Sequence, residues 1–260
     1  MQCKVAAAQV SLRKGSYEKT IADAQDLISK AAKEGAQIVC LPEHWLLEYW
    51  RKAEDAPARI AETAKTERVF VITGANYTHY RSDVRIRSML IDPTGRVVGW
   101  QDKVHLFRDE RTIAVPGKKY RVLETPLGKL GITICYDNVF PEAARTITLE
   151  GADLLFVPSR IITDGLEAWL LYLRTRALEN RIPVIAPNVS DPPRYIGGSA
   201  IIDLEESSIS PVVLPKVAAS ATLGETVIIA SIDVDKARKL RAKRLSERKP
   251  SAYATFRTLR

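Results

Sequence analysis

Cysteine is scarce in this chain of 260 residues: there are three, an odd number, too few for a disulfide scaffold and in keeping with a reducing compartment. No apolar run approaches the roughly 18–20 residues that a membrane-spanning helix needs, which argues against a spanning protein. Linker-like stretches, internal repeats and low-complexity blocks are also missing, so residues 1–260 are expected to form one domain. The opening Met1-Gln2-Cys3-Lys4-Val5 has neither the basic nor the apolar region of a secretory leader, and a cytoplasmic location is expected. Three cysteines and three histidines give no cluster with metal-ligand spacing. What is present is ordinary for a globular chain, at 46% hydrophobic and 27% charged residues, and it excludes disorder over most of the length.

The net charge of +8 is concentrated at one end. Residues 236–260 hold ten Lys/Arg against a single acid, Glu247, which leaves the body of the chain near neutrality. A basic end of this kind can bind nucleic acid or another acidic surface. No nucleic-acid-binding signature accompanies it, so the reading preferred here is a solvated amphipathic helix followed by a basic tail, 246–260, that pairs with acidic groups on another subunit.

Strands alternate with helices along the chain. Residues 4–10 read as a strand, and 18–34 as a helix with Ile21, Ala24, Leu27, Ile28 and Ala31 at helical spacing, closed by Gly35. Strands follow at 37–41, 68–77, 86–91 and 97–102, the last two flanking the turn Asp92-Pro93-Thr94-Gly95, with a helix at 56–66. Further strands are read at 129–135, 153–157 and 183–187, with helices at 141–150 and 166–180. Beyond Asn188 the pattern is β at 196–203, 212–214 and 226–233, and a helix from 234 to about 245 ends it. The class is α/β, a pair of sheets covered by helices.

Three ionisable residues fall at strand ends, where α/β folds gather ligands: Glu43, Lys103 and Cys135. Their surroundings are Leu41-Pro42-Glu43, Asp102-Lys103-Val104-His105-Leu106 and Cys135-Tyr136-Asp137-Asn138-Val139-Phe140-Pro141-Glu142. In that order, together with Arg174-Thr175-Arg176-Ala177-Leu178-Glu179-Asn180 and Ile196-Gly197-Gly198-Ser199, they resemble the nitrilase superfamily of carbon–nitrogen hydrolases over nearly the whole chain. The resemblance implies a four-layer α-β-β-α sandwich, paired into homodimers or larger homo-oligomers.

It also implies a chemistry that suits these residue types. A thiol is only slightly ionised at neutral pH, so Cys135 needs a base or a positive neighbour to act as nucleophile. Glu43 is the implied base, and Lys103 the fixed cation for thiolate and oxyanion. The Tyr136 backbone N–H is the second oxyanion donor if the chain turns sharply after Cys135. Glu110, six residues before Pro116-Gly117, matches the position of a further glutamate that orients the lysine and the substrate nitrogen. The scheme needs no cofactor and no metal.

Secondary expectations attach to other positions. Asp137 and Glu142 brace the elbow and helix start, His105 is a hydrogen-bonded neighbour of the lysine, and Arg174, Arg176 and Glu179 form a buried ion network. Cys3 and Cys40 are inert core residues. Arg160, at a strand end in Val157-Pro158-Ser159-Arg160, suits a substrate carboxylate. The aromatic-rich stretch after Glu43, His44-Trp45-Leu46-Leu47-Glu48-Tyr49-Trp50, is expected to form part of the wall of a partly apolar acyl pocket, with Trp45 as its candidate contact. Asn138 and Val139 stand where carbamoylase-like members carry arginine, and Cys135-Tyr136-Asp137 resembles the amidase and carbamoylase-like branches rather than the Cys-Trp-Glu of nitrilases. The expected function is therefore hydrolysis of a small linear amide through a cysteine thioester, with nitrile or N-carbamoyl amine hydrolysis as alternatives. A competing class is a non-catalytic scaffold whose basic C-terminus binds an acidic partner. No nucleic-acid or membrane partner is expected.

Overall fold

A computed structural model of the protein describes residues 1–12 and 15–257, with side chains as far as Tyr253. In chain order the elements are β1 (Gln2–Ser11), α1 (Tyr17–Lys33), β2 (Ile38–Cys40), α2 (Ala56–Glu67), β3 (Phe70–Ile72), β4 (Asn76–Tyr80), β5 (Asp83–Ile91), β6 (Val97–Asp102) and α3 (Glu110–Ile113). The second half holds β7 (Val122–Thr125), β8 (Gly128–Ile132), α4 (Pro141–Leu149), β9 (Leu154–Phe156), α5 (Leu166–Asn180), β10 (Val184–Ala186), β11 (Val189–Asp191), β12 (Tyr195–Ile196), β13 (Ala200–Glu206), β14 (Val213–Ser220), β15 (Thr226–Asp233) and α6 (Val234–Ser246).

Among the described residues the strands form two sheets. The larger follows the order β12-β11-β1-β2-β3-β5-β4, with β15 antiparallel to β1 and β6 antiparallel to β5. The smaller follows β14-β13-β10-β9-β8-β7. Both have parallel centres, β1-β2-β3 in one and β8-β9-β10 in the other.

Strand alternation decides the layers. Along β1, Cys3, Val5 and Ala7 face the second sheet and pack with Ile38, Cys40 and Ile72 against Leu130, Ile132, Leu154 and Phe156. Ala6, Ala8 and Val10 face the other way, onto Ile21, Ala24 and Ile28 of α1 and Ile60 of α2. Beyond the second sheet, Leu155, Val184 and Ile202 meet Ile147 of α4 and Trp169 and Leu173 of α5. The order is α-β-β-α, as the sequence resemblance implies. Cys3 and Cys40 lie between the sheets, and burial pushes both thiols up, Cys3 to about 11.

Several boundaries differ from the sequence reading for physical reasons. The strand read over 68–77 is two, β3 and β4, broken at Gly74 with φ 71°. A Cβ there would lie 2.0 Å from the Pro42 carbonyl oxygen, so only glycine lets this segment pass the Glu43 loop. The strand read over 196–203 breaks likewise at Gly197 and Gly198, both with positive φ. The strand read over 129–135 ends at Ile132, and Cys135 stands in a separate tight turn.

Candidate active site

Glu43 follows β2 by three residues. It forms an isolated parallel bridge with Ala75, and its N–H donates to the Ser159 carbonyl at 3.2 Å. Lys103 directly follows β6, tied by its N–H to the Ile86 carbonyl (2.8 Å) and by its own carbonyl to the Gly117 N–H (2.7 Å). The Lys103 side chain is fully buried. Its Nζ donates to Glu43 Oε1 at 2.7 Å and to Glu110 Oε1 at 2.8 Å. Glu110, at the start of α3, also accepts the Phe107 N–H at 2.7 Å and lies 3.1 Å from His44 Nε2. The structure thus brings Glu43, Lys103 and Glu110 into one contact set.

Cys135 opens the 3-10 turn Cys135–Val139 with φ 45°, a left-handed conformation uncommon for a residue with a side chain. Its N–H donates to the Pro158 carbonyl at 3.0 Å. Asp137, fully buried, fixes the turn by accepting from the Ile134 N–H (3.1 Å), the His105 N–H (2.7 Å), His105 Nδ1 (2.9 Å) and the Tyr120 hydroxyl (3.2 Å). One carboxylate therefore joins the cysteine turn to the segment after Lys103. His105 stacks on Phe140, with ring centres 3.9 Å apart. Behind the turn, Arg176 donates to the Asn138 and Val139 carbonyls at 3.0 and 2.8 Å and pairs with Glu179. Arg174, expected in that ion network, is exposed and takes no part in it.

Electrostatics favour a protonated resting thiol. Burial pushes the Cys135 thiol well above its ordinary value and Glu43 adds to this, while Lys103 and the Arg160 backbone N–H oppose them. Burial disfavours the charged form of Lys103, but Glu43, Cys135 and Glu110 outweigh it and raise the ammonium's pKa. Burial also pushes Glu110 up, yet His44 and Lys103 pull it down to about 2. Lys103 is thus matched by two carboxylates; its charge still favours the Cys135 thiolate but does not outweigh burial and Glu43.

Glu43, His44 and Glu110 each offer a ligand atom within 4.8 Å of the others. The Lys103 ammonium, already bonded to both carboxylates, takes the place a metal cation would need.

The remaining candidates divide. The Tyr136 N–H, in the turn behind Cys135, has no protein acceptor among the described residues. Arg160 lies next to Cys135, its backbone N–H facing the sulfur. Trp45 is a correction. It turns away from the site into the layer under α1 and α2, and its Nε1 donates to the Thr73 carbonyl at 3.0 Å. The cause is His44, whose φ of 52° reverses the side-chain direction after Glu43. The aromatic wall is made instead by His44, Tyr77 and Trp50, with successive ring centres 4.8 and 5.1 Å apart. The sequence reading placed His44 and Trp50 in this wall, within the stretch after Glu43, and missed Tyr77, which was hidden inside a strand read as continuous.

The carbon–nitrogen hydrolase family model matches residues 4–242. Over 229 residues the chain is 32% identical to the omega-amidase NIT2 of Xenopus tropicalis, covering 80% of this chain and 81% of that one. It is 30% identical over 215 residues to a nitrilase of Pyrococcus abyssi, covering 76% and 80%. Among solved structures, a carbon-nitrogen hydrolase from Helicobacter pylori G27 superposes with a TM-score of 0.84 at 22% identity, over 97% of each chain.

Proposed function

The chain belongs to the carbon–nitrogen hydrolase family, and from that premise we propose that it hydrolyses a small linear amide through a thioester on Cys135. The observation that supports this most directly is the contact set itself. Glu43 and Lys103 are 2.7 Å apart, and the Cys135 thiol lies against the Glu43 carboxylate. Glu43 takes the thiol proton as Sγ attacks the amide carbonyl. The oxyanion forms between Lys103 Nζ and the Tyr136 N–H, a donor with no other protein acceptor among the described residues. Collapse of the tetrahedral adduct breaks the C–N bond, and Glu43 returns the proton to the departing ammonia or amine. Water activated by Glu43 then cleaves the thioester to the carboxylic acid and restores the thiol. Glu110 holds Lys103 in place throughout.

An amide is preferred to a nitrile or a carbamoyl amine as substrate. Cys135-Tyr136-Asp137 supports an amide over a nitrile, and Asn138 and Val139 supply no arginine for a carbamoyl amino acid. The relatives include both an omega-amidase and a nitrilase, so the discriminating experiment presents one acyl group as amide, nitrile and carbamoyl amine. A kcat/KM at least tenfold higher for the amide is expected, and a tenfold preference for the nitrile, about 1.4 kcal/mol, would reverse the assignment. Cys135→Ala is expected to abolish ammonia release with the fold retained. Glu43→Gln is expected to lose turnover while still binding the amide; near-normal turnover by that variant would place the base elsewhere. The chain is proposed to act as one domain and as a homodimer or larger homo-oligomer in the cytoplasm.

A further inference from the structure

The outer face of the larger sheet carries a cationic cleft away from the catalytic groups. On β5, Ile86 and Leu90 pack between the sheets, so the alternating Arg85 and Arg87 point outward. Arg87 holds Asp102, its neighbour across the ladder to β6, through two hydrogen bonds of 2.6 and 3.1 Å. Lys103, one residue further, turns the opposite way and reaches Glu43. The cleft has a volume of about 370 Å³, and its lining sets Arg85, Arg87, Lys118, Lys119 and Arg121 against one carboxylate, Asp102.

The segment that supplies Lys119 and Arg121 is pinned from both sides. Outside, the buried Gln101 side chain donates to the Lys119 carbonyl and accepts the Arg121 N–H, each at 2.9 Å. Inside, the Tyr120 hydroxyl donates to Asp137 at 3.2 Å, which leaves the flanking Lys119 and Arg121 on the outer side. The Arg121 guanidinium lies 4.9 Å from the centre of the Trp100 ring, which also carries Arg87 at 5.1 Å. Arg85 is paired with Asp83 and Arg87 with Asp102, yet the Arg85 Nε is buried without an acceptor. Among the described residues no carboxylate pairs with Lys118, Lys119 or Arg121. Cations this close repel one another, and here backbone and ring contacts keep them together while three of them stay unmatched.

We propose that this cleft binds a small anion carrying two or more phosphate groups. Arg121 offers its planar fork to one phosphate, and Lys118 and Lys119 supply point charges for the next. Three unmatched cations suit a di- or triphosphate better than an anion of single charge. The cleft also has the size of a small-ligand site, about 300–1,000 Å³. A nucleic-acid strand fits less well, because its bases would need free aromatic faces. The Tyr80 ring already carries Arg81 and Arg87, and the Trp100 ring Arg87 and Arg121. Asp102 and Lys103 point to opposite sides of the strand, so the anion binds without touching Cys135, and the site is independent of the amide reaction.

Calorimetric titration of the full chain with inorganic tripolyphosphate tests this, with sulfate and a short single-stranded DNA as comparisons. Tripolyphosphate is expected to bind at least tenfold more tightly than sulfate. Lys118→Glu combined with Lys119→Glu is expected to weaken it at least tenfold; both lysines are exposed, so the fold is not at stake. Arg121→Gln, which keeps a polar side chain beside Trp100, is expected to weaken it at least fivefold. Lys239→Glu combined with Lys243→Glu makes the same change of charge on exposed positions of α6 and is expected to leave the affinity within twofold. Equal losses in the two double variants would reduce the effect to net charge and overturn the proposal. Tripolyphosphate binding no tighter than sulfate overturns it as well. So does binding of the DNA alone, lost in the Lys118 and Lys119 variant, which would assign the cleft to a nucleic-acid backbone instead.

Discussion

Glu110 meets three donors, Lys103 Nζ, His44 Nε2 and the Phe107 N–H, and their combined pull exceeds the burial that would otherwise keep it protonated. A carboxyl held at about 2 when folded, against 4.5 as the ordinary value, stabilises the fold above 4.5 and loses that contribution as pH falls towards 2. Glu110→Gln is therefore expected to unfold at lower denaturant concentration than the wild type at pH 7, by on the order of 1–3 kcal/mol. The gap should narrow from about pH 4.5 downward. Denaturant titrations at a series of pH values check this, and a gap that widens in acid would contradict it. Residue identity was legible at this scale where a motif carried it, for Glu43, Lys103 and Cys135. Within the stretch after Glu43, which side chains face the site was not legible, because the left-handed His44 turns Trp45 away. Spacing in a sequence does not record that reversal.

Between strand and helix, the turn at Cys135 shows how an element is forced to serve a site. A φ of 45° for a non-glycine residue is unfavourable, and the turn persists because Asp137 collects donors from Ile134, His105 and Tyr120 while Arg176 holds the Asn138 and Val139 carbonyls. Asp137→Ala leaves buried N–H groups unpaired and is expected to cost roughly 2–4 kcal/mol. It should also depress kcat by tenfold or more, by releasing the segment after Lys103. Thermal unfolding and steady-state kinetics check both; a variant with normal kcat would show that the turn holds itself. Core elements were legible from their patterns: helices 141–150 and 166–180 and the strand at 226–233 lie where periodicity put them, within a residue. The breaks at Gly74 and at Gly197-Gly198 were not, since each depends on the approach of another segment, Pro42 or Thr222, distant in sequence. The short strand β7, which among the described residues pairs only with β8, has too little pattern of its own to be read.

At the scale of the whole molecule the basic C-terminal segment divides in two. Within α6, Arg238 and Arg241 are tied to the buried carboxylate of Asp153, at 2.7 and 2.6 Å, so that part belongs to the fold. Further on, Arg244, Arg248 and Tyr253 line a groove of about 1070 Å³ together with Arg145 and Arg181, beside Glu142, Glu179 and Glu247. Burial and the neighbouring Arg244 lower the pKa of Arg145 and Arg181, Arg248 adding to the effect on Arg145, which marks a crowded set of like charges. Leu149 and Leu171 are exposed on the same helical layer, at 45% and 67%. An apolar surface beside an excess of arginine suits contact with a second copy, whose acidic side chains relieve the repulsion. The Phe256 side chain and residues 258–260, also part of the expected docking tail, lie outside the described residues. Truncation after Leu245 keeps both arginine bonds to Asp153 and should leave the monomer folded. It is expected to lower the oligomer mass measured by light scattering, or to raise the concentration at which the assembly dissociates at least tenfold. An unchanged mass across a dilution series would show that the tail does not bind a partner subunit. In that event, salt-sensitive retention of the full chain on nucleic acid, absent in the truncated one, would assign the basic end to an acidic partner of another kind.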